Sequence, residues 1–436
     1  TASGFGATGA ASWNTTVKTG DFTAVNGEGY FVDTTSGEID VTLPAGSPGA
    51  VVAVKDYANT FDTNNCILIP NGSEKIGGNA GNAAIATEGL AITLVYIDST
   101  KGWLVTDSGL QSEAPEPAAY VVASGGNATV TSGNFKSHIF TGPGTFTVSC
   151  VGNGSGSNTV DYLVVAGGGS AGGYYAGGGA GGFRISNGDS QPAPTMSPLS
   201  NPTGLPVTAT GYPVTVGGGG TGGTSFPGIG GYDGNQGSSS SFAGSSTITS
   251  AGGGAGKSSG PTVVGGAGGS GGASGYYRPS SGKGAGNTPP VSPPQGNPAG
   301  RSSYANGGGG GGAGAAGQDG TINGSHSASP TPGPNIAGNG GIGSYIADST
   351  IGPTAPSYGE PGPVSNVRYF AGGGAGGVCQ GQPGPNGTGG AGGGGDGKCN
   401  SGPFTSAQNG VDNTGGGGAG SGGGLGGSGI VIIRYK

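Results

Sequence analysis

From residue 20 to 110 the chain alternates short β-rich runs with turn signals. The runs are 22–25 (FTAV), 30–32 (YFV), 39–43 (IDVTL), 51–54 (VVAV), 66–69 (CILI), 91–97 (AITLVYI) and 103–105 (WLV). Asn26-Gly27, Ser36-Gly37, Pro48-Gly49 and Asn71-Gly72 separate them. This spacing predicts a sandwich-like β domain over 1–112, and no useful helical period occurs anywhere. Residues 113–118 read as a linker stiffened by Pro115 and Pro117. A second set of runs, 120–122, 128–130, 135–140, 145–150 and 161–165, predicts a small β domain over 119–165. Then the pattern changes. Residues 166–428 alternate glycine runs with more varied inserts, and a last apolar strand closes the chain over 429–436. The strands on either side of the glycine stretch, 161–165 and 429–435, are expected to pair.

Composition bears mainly on the glycine stretch. The chain holds 112 Gly in 436 residues, 24 of them before Gly167, and is 8% charged. Such text reads by default as disordered. The net charge is only -7, so repulsion does not hold it open. Residues 265–273 (GGAGGSGGA) are three Gly-Gly-X triplets. A threefold period matches the left-handed polyproline II helix, which has no internal hydrogen bonds. Glycine at two positions in three lets backbones approach and bond to their neighbours, so a bundle can form without an apolar core. The cost is the large entropy of fixing glycine. Collagen is excluded, because the runs are interrupted and there are only 30 Pro. The predicted class is all-β plus polyglycine II: a β-sandwich-like domain, a small second β domain, and a glycine-rich bundle closed by a C-terminal strand.

Charge and chemistry narrow the function. With 14 Lys+Arg against 21 Asp+Glu, nucleic acid is not an expected partner. No apolar run approaches the ~20 residues of a membrane span. The sequence starts at Thr1 rather than Met, and no signal peptide is read in it. Cys66 and Cys150 lie in strand text and are expected to be buried free thiols. Cys379 and Cys399 each sit beside a glycine run; either they staple one loop or they are free. Two histidines and no C-x-x-C imply no metal and no other cofactor. Residues 251–258 (AGGGAGKS) match a relaxed phosphate loop, but Pro261 forbids the helix that must follow. Residues 230–235 (GGYDGN) match a calcium-binding roll repeat once, where tandem copies are needed. The acids are scattered and form no pair with a histidine, so no enzyme is expected. His138, mid-strand, reads as a structural imidazole, and Trp13 and Trp103 as packing residues.

The inserts carry aromatics in otherwise small-residue text: Tyr174, Tyr175, Tyr232, Tyr276, Tyr277 with Arg278, Tyr304, Tyr345, Tyr358, Tyr369 and Phe370. Two readings stay open. Either these rings fold back to cap the bundle, or they form a binding surface at loop tips, where tyrosine offers area at low entropy cost. Inserts 276–306 and 344–370 are the expected binding parts.

Residues 161–169 (DYLVVAGGG), 178–184 (GGAGGFR), 212–217 (YPVTVG) and 427–435 (GSGIVIIRY) resemble the glycine-rich domain of bacteriophage tail-fibre and adhesin proteins, especially those of marine and cyanobacterial phages. Residues 13–22, 29–37 and 52–57 are similar to the β domains that precede it there. The resemblance implies a polyglycine II sandwich whose distal loops recognise a host cell-surface receptor, a glycan or an outer-membrane protein. It also implies a place in the virion beside other fibre proteins, commonly as a homotrimer. The alternative is a non-catalytic subunit of an extracellular filament or appendage.

Overall fold

The computed structural model describes residues 11–110, 118–153, 156–188, 191, 195–222, 233–258, 263–275, 282–303, 306–322, 335–378, 384–398, 407–420 and 422–436. The chain divides into two compact units, Thr1–Glu116 and Pro117–Lys436.

In the first unit, successive short strands fall alternately into two sheets. Ser12–Lys18, Glu28–Val32 and Val51–Asp56 lie side by side and parallel in one. Phe22–Thr23, Ile39–Thr42 and Cys66–Ile69 do the same in the other. The chain therefore winds through both sheets before the antiparallel strands Ala83–Ile85, Leu90–Asp98 and Gly102–Leu110 finish them. Alternate residues of each strand point inward, giving one core of Val32, Val41, Leu43, Val52, Val54, Phe61, Leu68, Leu94 and Trp103. Trp103 is fully buried and donates its indole N–H to Glu74 at 3.2 Å. Trp13 stays 44% exposed, because its edge strand is covered on one side only; its ring rests on Phe31, centroids 5.0 Å apart.

The second unit has no boundary at residue 165. Thr159–Val165 pairs antiparallel with Ile430–Tyr435, as its flanking position implied, and also with Phe183–Ser186. The predicted small β domain and the glycine stretch thus share sheets. One sheet orders Ala128–Ser132, Phe135–Phe140, Ile430–Tyr435, Thr159–Val165, Phe183–Ser186 and Ser200–Asn201. A second orders Val122–Ser124, Gly144–Cys150, Gly211–Thr215, Ser240–Ala243 and Thr247–Ser250. Between them pack Phe140, Phe146, Tyr162, Val164, Tyr212, Phe242, Val431 and Ile433. Ile139, Leu163, Phe183, Ile346, Ile351, Phe370, Ile430 and Ile432 fill the opposite face. Ile430–Tyr435 is central and buried on both faces, so its apolar run is continuous rather than alternating.

The glycine runs extend these strands as straight rods. Rod 166–172 continues Thr159–Val165, and rod 176–182 returns into Phe183–Ser186. The bonding of rod 176–182 repeats every third residue. Gly177, Gly178 and Gly179 donate to Gly308, Gly418 and Gly254; Ala180, Gly181 and Gly182 then donate to Gly311, Gly415 and Ala251. The rod's carbonyls accept from three further neighbours: Ala176, Gly179 and Gly182 from Gly172, Gly169 and Ala166; Tyr175 and Gly178 from Gly377 and Gly374; Gly177 and Ala180 from Ala273 and Ser270. All these bonds span 2.8–3.2 Å. One threefold helix is thus bonded to six others, which is the polyglycine II arrangement. Such spacing leaves no room for side chains. A Cβ on Gly178 would strike the carbonyl of Gly169, and one on Gly181 that of Ala166. The few alanines group where rods leave a gap, as Ala176, Ala273 and Ala299 do.

His138 is 1% exposed. Its Nδ1 lies 2.6 Å from the Gly125 carbonyl and its Nε2 3.0 Å from the Tyr435 hydroxyl. A carbonyl only accepts, so Nδ1 carries the hydrogen and Nε2 of the neutral ring accepts from Tyr435. Burial pushes the imidazole pKa down; Lys136 adds to this, and the Gly125 bond opposes it.

Two predictions follow from this packing. Gly178→Ala should destabilise the second unit by about 3 kcal/mol or more, through overpacking against backbone. Gly218→Ala, with open space at its Cβ, should change stability by less than about 1 kcal/mol. Urea denaturation compares them, and equal losses would refute the steric constraint. For His138 the folded pKa lies below the unfolded value of about 6.5. The unfolded chain therefore takes up the proton first, and stability falls as pH drops through about 6.5 towards the folded value. His138→Gln should flatten that limb of the urea midpoint plotted against pH; an unchanged limb would show that another group causes it.

Candidate functional site

The turn 173–175 joins rods 166–172 and 176–182. Because the strands feeding those rods pair at one end, the turn marks the other. Gly172 N–H bonds the Ala176 carbonyl at 3.0 Å across it. Tyr175 takes φ 64° at its tip, the left-handed region. Its carbonyl accepts from Gly377 at 2.9 Å. Tyr174 is half-buried, and the two rings stand 6.2 Å apart.

Around this turn the ends of the inserts meet. The Tyr174 N–H donates to the Ser258 hydroxyl at 3.2 Å, and the Ser258 N–H to Asp233 at 2.9 Å. Lys257 pairs with Asp233 at 3.4 Å, both about two-thirds buried. Gly275 packs so closely that a Cβ would strike the carbonyls of Ser258 and Tyr174. The Ser302 hydroxyl donates to the Ser274 carbonyl. Asn306, 1% exposed, donates to Ser303, Thr321 and Asn335 at 3.3, 2.8 and 3.0 Å and bridges to Val378. A Cβ on Gly420 would strike the Tyr175 carbonyl. Residues bordering segments 223–232, 259–262, 276–281, 304–305, 323–334, 379–383 and 421 therefore share one pole of the rod lattice. Nothing in the sequence marks Asn306 as a hub, since it reads as one more turn residue before glycines.

The aromatic candidates divide between the two ends. Tyr174 and Tyr175 lie at the insert pole, but Tyr175 is only 8% exposed and serves the turn rather than a partner. Tyr345, Tyr358, Tyr369 and Phe370 lie at the sheet end. There Ser344–Ala347 pairs with Val367–Phe370, and Asp348–Ile351 with Gly352–Ser357 forms the connection. Phe370 is fully buried and Tyr369 nearly so, with the Tyr345 and Tyr369 rings 5.0 Å apart. Insert 344–370 is thus a structural part, because Ile346, Ile351 and Phe370 close the core over Leu163 and Ile432. Residues 282–286 and 297–303 of the other expected binding insert are also lattice rods, bonded through Gly284, Ala299 and Gly300. Tyr232, Tyr276, Tyr277, Arg278, Tyr304, Cys379 and Cys399 lie outside the described residues.

The apparent phosphate loop spends its N–H groups inside the lattice: Gly253, Gly254, Gly256 and Lys257 bond Gly167, Ser270, Ser170 and Ala273. Cys66 is buried, as expected, and burial pushes its thiol up to about 12. Cys150 is exposed, because its side chain falls on the outer face of its strand. Among the described residues no group of three or more His, Cys, Asp or Glu could hold a metal ion, and no helix is long and apolar enough to cross a membrane.

Asn306→Ala should remove three bonds at the insert pole and leave the Thr321 carbonyl without that donor. A loss of about 1–3 kcal/mol in urea denaturation is expected; no loss would show that the hub does not hold the pole together.

A family model described as a glycine-rich domain matches residues 140–436, well over half of the chain. The match crosses residue 165 without a break, in line with the shared sheets. No curated protein matches the chain.

Proposed function

Because the chain belongs to the glycine-rich domain family, we propose that its second unit is a rigid scaffold for recognising a host cell-surface receptor, as in a phage tail fibre or adhesin. The role is non-catalytic and extracellular, on a virion beside other fibre proteins, with a homotrimer as the expected assembly. The receptor is a glycan or an outer-membrane protein. The observation that carries the proposal is the convergence of insert borders around Tyr174, Asn306 and Gly420. Rods that cannot bend under six-sided bonding hold those borders at fixed spacing, and loops on a rigid scaffold are the usual place of recognition. Ile346, Ile351 and Phe370 of insert 344–370 are buried in the core, so those side chains are not offered to a receptor.

Replacing 223–232 and 276–281 by Gly/Ser linkers of equal length should abolish adsorption of the purified chain to host cells while leaving the unfolding free energy from urea denaturation within about 1 kcal/mol. Adsorption that survives both replacements would overturn the assignment. Spontaneous polymerisation of the unaltered chain into filaments would favour the appendage subunit instead.

A further inference from the structure

The first unit carries an aromatic ring laid flat on the outer face of a sheet. A Cβ on Gly29 would stand 2.9, 2.9 and 3.1 Å from Cδ2, Cε3 and Cε2 of Trp13. Near-equal distances to adjoining ring atoms put the glycine beneath the ring face, not beside its edge. The indole is still 44% exposed, so its other face points to solvent. The Phe31 ring lies beside it, half-buried and tilted by 36°. Strand register fixes what extends from this platform. Trp13, Gly29, Ala53, Thr93 and Asp107 stand opposite one another on neighbouring strands of one sheet. Opposed residues share a face. Tyr30, Val52, Val54, Ile92 and Leu94, which alternate with them, fill the core, so the row faces outward. Four strand spacings of about 4.8 Å make it about 19 Å long. Gly29 and Ala53 are small, so nothing bulky in the row separates the indole from Thr93. Asp107 ends the row and is exposed. In the next row Phe31 stands opposite Lys55, whose ammonium donates to the Gly89 carbonyl at 2.6 Å.

This arrangement selects a ligand by shape and charge. The face of an aromatic ring is flat and negative, so it attracts C–H groups, whose hydrogens are slightly positive. A pyranose with equatorial hydroxyls offers a flat face of C–H groups and a rim of hydroxyls that give and take hydrogen bonds. Thr93 and Asp107 supply a hydroxyl and a carboxylate for that rim. The length of the row suits several sugar units, and a straight β-linked chain keeps its rings in line with it. The row ends on a carboxylate, and the ammonium beside it is engaged by a backbone carbonyl. The face therefore favours a neutral chain over an acidic one. We propose that the outer sheet face around Trp13 binds a neutral β-linked gluco-oligosaccharide. One sugar ring stacks on the indole, and the chain runs across the strands towards Asp107. The site lies wholly in the first unit and stands whether or not the insert pole recognises a receptor.

Tryptophan fluorescence reads this site directly. The chain has two tryptophans, and Trp103 is fully buried, so a ligand on the surface alters the emission of Trp13. Titration of the full chain with cellotetraose should give a saturable change. Maltotetraose, whose α-links curve the chain, and cellotetraose oxidised to glucuronate units should each bind about tenfold more weakly. In titration calorimetry Trp13→Ala should abolish binding, and Asp107→Asn should weaken it about threefold. Asp107 is exposed, so its variant should keep the circular dichroism spectrum and urea midpoint of the unaltered chain. No saturable change with cellotetraose, equal binding of either control sugar, or full affinity in both variants would each overturn the proposal. So would an emission shift that follows protein concentration without sugar, since the face would then belong to a second copy of the chain. Replacing 223–232 and 276–281 should leave cellotetraose binding unchanged, which keeps a failure at the insert pole distinct from a failure here.

Discussion

The second unit depends on one interaction, the backbone hydrogen bond between neighbouring glycine rods. A buried N–H or C=O must find a partner. In a threefold helix none lies within the segment, so every rod must borrow its bonds from others. Rod 176–182 does this on six sides. The arrangement is cooperative in an unusual way, since no rod can form before several of its neighbours do. It also explains the composition. Where carbonyls stand as close as that of Gly169 does to Gly178, any Cβ collides. The many glycines that mark disorder in other chains here meet a packing requirement. Their entropy is offset by bonds made on every side rather than by apolar burial.

Rods alone do not fix their own register. A polyglycine helix shifted by three residues meets the same neighbours with the same bonds. The strands at the sheet end remove that freedom. Thr159–Val165, Thr247–Ser250 and Val367–Phe370 each start a rod, and each carries side chains that fit one place in a core. Ile430–Tyr435 belongs to both cores through opposite faces, so it ties the last rod to the first. Hydrophobic packing sets the register, and the hydrogen bonds carry it along the rods.

Local signals showed in the sequence, and long-range partners mostly did not. The strand runs, the Gly-Gly-X period and the pairing of 161–165 with the closing strand were all readable, because each depends on side-chain pattern or on position in the chain. The two-sheet winding of the first unit was not, because parallel partners such as Glu28–Val32 and Val51–Asp56 are separated by a strand of the other sheet. Ser12–Lys18 was missed as a strand because it lies at an edge with little burial, so its pattern carries no inward face. The division at 165 failed because composition changes there while the sheets continue. Among the aromatics, the sequence could not tell Tyr174 from Phe370. Both border a glycine run, and only the direction of that rod decides which end each reaches.

That direction also separates the insert that builds the core from those at the insert pole. Rods alternate up and down, so consecutive inserts alternate between the two ends. At the sheet end an insert meets apolar strands, and 344–370 is drawn into the core by Ile346, Ile351 and Phe370. At the other end the described borders of the inserts meet glycine backbone and polar side chains. Polar contacts hold those borders: Asp233 with Lys257, Ser258 with Tyr174, Asn306 with its three acceptors. The described borders of those inserts belong to neither of the two large apolar cores. A protein whose binding loops must vary while its fold does not would have its loops there.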